Sequence, residues 1–141
     1  SPYADLLATG ESLHSNGASC VMFDAASIQR AAALYLNGQD GALPLASPLY
    51  GDFTGLPPVA MHVSDNEALR DDAYRLADGL DRAGVAVQLN IWRGQAHVWP
   101  TFYPLLPEAD TCLRDMAAFA QRSWHASATA PSSVPASEVC A

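Results

Sequence analysis

Two short apolar runs with one helical period between them constrain this chain more than any other feature. The first, "VAMHVSD" (residues 59–65), follows Pro57 and Pro58 and leads into Asn66. Its valines and methionine read as a strand buried on both faces, the kind found in parallel sheets. The second, "VAVQLNIW" (residues 85–92), alternates, with Val85, Val87, Leu89 and Ile91 on one side. It reads as a strand with one greasier face. Between them, "EALRDDAYRLADGLDRAG" sets Leu69, Ala73, Leu76, Leu80 and Ala83 at steps of four and three, one stripe of an amphipathic helix. Asp71 and Asp72 fall in its first turn, where the helix dipole favours negative charge, and Gly84 supplies its stop. Strand, helix and strand in that order form a βαβ unit, which implies parallel strands and a right-handed crossover.

The flanking sequence adds helices but no further strand. Residues 1–24 are turn-rich and read as loop with one or two short helical turns. In "AASIQRAAALYL" (residues 25–36), Ile28, Ala32 and Tyr35 share a face, and Asp24 is the expected N-cap. "NGQDG" then ends the helix. The following "ALPLASPLYGDFTGLPP" holds four prolines and reads as an extended connection. A last helical pattern spans residues 107–126, with Pro107 in its first turn and Cys112, Met116, Phe119 and, weakly, Ser123 on its stripe. From about residue 125 the chain is rich in Ser, Ala and Pro, and residues 125–141 read as a disordered tail. Two parallel strands do not make a stable helix-covered sheet, so the other part of the sheet is expected elsewhere.

Composition removes several function classes. All seven basic residues are arginine and the net charge is −8, so no basic patch is available for nucleic acid. Cys20, Cys112 and Cys140 have neither CxxC nor Cys/His metal spacing, and they read as reduced or buried thiols. No apolar run is long enough to span a membrane. The chain opens on Ser1-Pro2-Tyr3 without an initiator methionine or a signal peptide, as a piece of a longer chain would. Location is therefore unknown from sequence, with the cytoplasm the default expectation.

Chemistry in open α/β sheets collects in loops after the carboxyl ends of strands. Here those loops are "SDNEALRDD" and "RGQAHVW", expected side by side on one rim. The first offers carboxylates at Asp65, Glu67, Asp71 and Asp72; the second offers His97. A carboxylate that accepts the Nδ1 proton of a histidine fixes its tautomer and stabilises the imidazolium, and the histidine can then take a proton from a hydroxyl. Acid before histidine matches the chain order of hydrolases with a nucleophile elbow. The blander reading applies to the other histidines: His14, His62 and His125 read as surface polar groups, as lone loop histidines usually are. Asp71 and Asp72 read first as cap and dipole residues.

Read in order, "SPYADL", "YLNGQD", "PLASPLYGDFTGLPP", "EALRDDAYRLADGLDRAGVAVQLNIWRGQAHVW" and "LPEA" resemble the C-terminal half of the hormone-sensitive-lipase-like (bacterial family IV) esterases. The resemblance covers residues 1 to about 122. It implies that residues 1–124 are the C-terminal part of an α/β-hydrolase domain with an incomplete sheet. In that family the triad acid opens a "DxLxD"-type segment and the histidine follows thirty residues on, which points to Glu67 and His97. Aspartate is the usual acid, so Glu67 is a departure. Asp71 is the alternative acid and Asp65 a weaker third. The family's G-x-S-x-G and HGG-type loop are absent. "GESLH" and "GASCV" lack the second glycine, which leaves Ser12 and Ser19 as poor nucleophiles.

The resemblance thus implies a fragment of a carboxylic ester hydrolase that supplies acid and histidine but no nucleophile, and that is inactive alone. It implies a small-molecule ester substrate and no metal or organic cofactor. It would put Trp99 and Phe102 near the substrate mouth, although aromatic residues in such loops more often belong to the core. Residues 85–92 could pair across a homodimer. The runner-up reading is a split or decayed hydrolase that acts only as a binding or association module.

Overall fold

A computed structural model of the chain describes residues 1–129. The elements run α1 (Ser12–Ser15), α2 (Ala25–Leu36), a 3-10 turn (Pro48–Tyr50), β1 (Val59–Ser64), α3 (Arg70–Arg82), β2 (Val87–Trp92), a second 3-10 turn (Trp99–Phe102) and α4 (Pro107–Thr129). The two strands pair in parallel, from Val59 opposite Val87 to Ser64 opposite Trp92, with α3 as the crossover. The expected βαβ unit is present.

Strand alternation divides the packing between the two sheet faces. Met61 packs with Leu80 of α3 and with Val85, and Phe53, Leu76 and Leu89 close around them. On β1, Met61, His62, Val63 and Ser64 are all buried, as a strand covered on both faces requires. A second cluster joins Trp99, Ala109 and Cys112 to Trp92, tying α4 to the end of β2. A third joins Leu13, Ile28, Ala68 and Leu69, which seats α1 and α2 on the turn that precedes α3. No helix among the described residues is long and apolar enough to cross a membrane.

Three boundaries and two stripes differ from the sequence reading. The helix expected from Glu67 begins at Arg70, because the Glu67 carboxylate accepts the Ser64 N–H at 2.7 Å and holds residues 64–67 in a turn. The strand expected from Val85 begins at Val87. Val85 N–H instead closes the helix end on the Leu80 carbonyl, after Gly84 at φ 75°. Tyr35 is exposed although Ile28 and Ala32 of the same stripe are buried. On α4 only Cys112 of the expected stripe is buried, and Met116 is exposed, because the sheet beneath is two strands wide. Helix α4 also continues to Thr129, so residues 125–129 are helical where a tail was expected. The remainder of that expected tail, with Cys140, lies outside the described residues.

Candidate active site

Glu67 and His97 come from the two loops at the carboxyl ends of β1 and β2. Glu67 is 1 % exposed, at the turn between β1 and α3. Its Oε2 lies 2.7 Å from Nδ1 of His97. A carboxylate only accepts, so Nδ1 carries the proton and Nε2 is left as the basic nitrogen. Nε2 has no hydrogen bond among the described residues. The other carboxylate oxygen, Oε1, accepts from Ser64 N–H at 2.7 Å and from the Ser1 hydroxyl at 2.8 Å.

The histidine loop is fastened to the acid loop by main-chain donors. Gly94 N–H donates to Asp65 Oδ1 at 2.9 Å, and Gln95 N–H donates to Ser64 Oγ at 2.9 Å. Val98 N–H donates to Ser1 Oγ at 3.2 Å. Phe23 meets the His97 ring edge-on, with ring centroids 5.2 Å apart. An apolar cavity of about 220 Å³ adjoins the histidine, with Phe23, Ile28, Ala31 and Leu69 in its wall.

The other expected acids point elsewhere. Asp65 is occupied by Gly94. Asp71 accepts the Ser12 N–H at 2.8 Å and pairs with Arg70 at 3.0 Å. Burial pushes its carboxyl up, but those donors and the Arg70 charge outweigh burial and hold it below the usual range. Asp72 is more than a dipole residue. It is buried and accepts from the Ala4 and Asp5 N–H groups at 2.8 and 3.1 Å, with Arg75 at 2.7 Å on its other oxygen. Burial is the largest influence on Asp72 and leaves its pKa raised.

Several expected surface or site residues are placed differently. His14 and His125 are exposed, but His62 is 3 % exposed, a correction to the surface reading. Its Nδ1 accepts from Trp92 Nε1–H at 3.1 Å, because residue 62 faces the side of the sheet that Trp92 covers. Burial lowers its pKa, so the ring is neutral. Trp99 is wholly buried on Ala109 and Cys112 and is a core residue, whereas Phe102 is partly exposed. Ser12 and Ser19 hydrogen-bond main-chain carbonyls of residues 68, 16 and 66. Burial drives the Cys112 thiol up to about 11, which keeps it protonated and inert. Sequence reasoning did not single out Ser1, Ser64 or Phe23. Ser64 alone had a local signal, being the last residue of a strand that feeds a candidate loop.

A family model of the α/β hydrolase fold matches residues 1–101. A solved esterase from the bacterial hormone-sensitive lipase family superposes with a TM-score of 0.84 at 38% identity, covering 86% of this chain and 41% of that one. The chain belongs to the hormone-sensitive-lipase-like α/β hydrolases. Among curated relatives, an acetyl-hydrolase of Streptomyces hygroscopicus is 40% identical over 119 residues, 84% of this chain and 40% of the relative. An esterase of Acinetobacter venetianus is 35% identical over 122 residues, 85% of this chain and 40% of the relative. The chain therefore spans about two-fifths of the length of these relatives.

Proposed function

We propose that this chain supplies the acid and the histidine of a serine carboxylesterase. The nucleophilic serine and the oxyanion hole would come from residues outside these 141. In this reading Nε2 of His97 takes the proton of the serine hydroxyl as it attacks the ester carbonyl. It then returns the proton to the departing alcohol, and a water molecule repeats the cycle on the acyl-enzyme. Glu67 keeps the proton on Nδ1 and balances the imidazolium charge. The single observation that carries the proposal is the 2.7 Å contact of Glu67 Oε2 with His97 Nδ1, between loops at the carboxyl ends of adjacent parallel strands. The substrate is proposed to be a small ester, since the apolar cavity of about 220 Å³ beside His97 suits a short chain. A second copy pairing along residues 85–92 is also proposed, because the outer edge of β2 has no strand beside it among the described residues. Monomeric sedimentation at high concentration would remove that part.

The test is made in the longer protein, on short-chain p-nitrophenyl esters. Glu67→Gln is expected to lower the turnover rate roughly a thousandfold or more, the scale seen when a triad acid is neutralised. Asp71→Asn is expected to cost less than about tenfold, through loosening of the Ser12 contact. The reverse order would assign the acid to Asp71.

A further inference from the structure

We propose that the Ser1 hydroxyl is a positioning residue that locks the acid and the histidine loop together. This rests on the reading of Glu67 and His97 as acid and base, and it concerns how they are held. A hydroxyl can donate once and accept twice. That of Ser1 donates to Glu67 Oε1 at 2.8 Å and accepts from Val98 N–H at 3.2 Å. One oxygen atom thus touches both the acid and the peptide group that follows the histidine, across 66 and 97 positions of sequence.

Each half of that bridge answers a physical need. Oε1 is the oxygen that does not face His97. Its two donors, Ser64 N–H and Ser1 Oγ–H, set the plane of the carboxylate and so aim Oε2 at Nδ1. Glu67 is 1 % exposed, so water cannot readily replace a lost donor. On the other side, Val98 sits at φ 51°, ψ 34°, the left-handed region, which a β-branched residue rarely occupies. Such a conformation is unfavourable for a β-branched residue and persists only where its surroundings impose it. The Val98 N–H is held by the Ser1 hydroxyl, while the Val98 carbonyl accepts from Thr101 N–H at 3.0 Å and from the Thr101 hydroxyl at 2.8 Å. Ser1 is itself anchored, its main-chain nitrogen donating to the His62 carbonyl of β1 at 2.6 Å. The hydroxyl is therefore presented from the edge of a buried strand.

The same geometry separates this role from that of a nucleophile. A nucleophilic serine donates to the histidine Nε2. Ser1 donates to the acid, on the oxygen turned away from the ring.

The experiment is NMR on the longer protein with labelled histidine and main-chain nitrogen, comparing the unaltered chain with Ser1→Ala, Ser1→Thr and Glu67→Gln. The unaltered chain is expected to show a low-field Nδ1–H resonance of His97 and a slowly exchanging Val98 amide. In Ser1→Ala the resonance should broaden and move upfield. The Val98 amide should exchange about fivefold faster, the scale of one lost hydrogen bond. Ser1→Thr, which keeps the hydroxyl, should restore both. If Glu67→Gln abolishes the resonance and Ser1→Ala leaves both signals unchanged, the bridge is overturned and the acid–base pair stands. If Glu67→Gln also has no effect, the pair itself falls, and the bridge with it. Identical losses in Ser1→Ala and Ser1→Thr would mean that the site responds to bulk, and would overturn the role of the hydroxyl. Loss of spectral dispersion throughout Ser1→Ala would make Ser1 a residue of the fold at large, which also overturns it.

Discussion

Buried and neutral, His62 makes the fold sensitive to acid well above the carboxylate range. Its folded pKa is lowered from 6.5, first by burial, with Asp115 opposing and the chain's amino terminus reinforcing. The unfolded chain takes up the proton at the ordinary value while the folded chain resists it. The contribution of His62 to stability is therefore complete above pH 6.5 and is lost as pH falls below that value towards the lowered one. The thermal midpoint is expected to fall between about pH 7 and about pH 5, and His62→Gln should flatten that slope. An unchanged slope in the variant would assign the acid sensitivity to other groups. Asp72, whose pKa is raised, works in the opposite sense: its contribution grows as pH falls through its folded value. At this scale the sequence was least informative. His62 lies within β1 and His97 in the loop after β2, and only their neighbours bury the first and set the second against Glu67.

At the scale of elements, α3 joins the site to the rest of the fold through the acids of its first turn. Asp72 holds the Ala4 and Asp5 N–H groups, both in buried residues, and Arg75 links it to the buried Asp5. Asp72→Ala strands those donors, and the expected loss is about 2–4 kcal/mol in urea unfolding. Asp72→Asn keeps an acceptor oxygen and should lose less. Equal stability of all three forms would make the contacts incidental. The helix period, its acidic first turn and its glycine stop were legible in the residues. Its true start was not, because the turn at residues 64–67 is set by a side chain bonding back to the strand. That choice competes with helix continuation and leaves no periodicity.

At the scale of the whole molecule, the described residues place helices around a sheet of two parallel strands. Ile91 on β2, and Met116 and Trp124 on α4, stand exposed beside that narrow sheet. The purified 141-residue chain is expected to give no turnover of short-chain p-nitrophenyl esters. Measurable hydrolysis that His97→Ala abolishes would place the nucleophile within these residues. By itself, the sequence determined the order and kind of the elements, the parallel crossover, and two loops able to bear an acid and a base. Periodicities of 2 and 3.6 and turn residues are local properties, and hydrophobic burial acts on them directly. Only the tertiary structure decided that Glu67, and neither Asp65 nor Asp71, meets His97. The three acids lie within seven positions of one another, and hydrogen bonds to residues far away in the chain set the direction each one faces. It alone also brought Ser1 between them, because no spacing rule connects a residue with others 66 and 97 positions away.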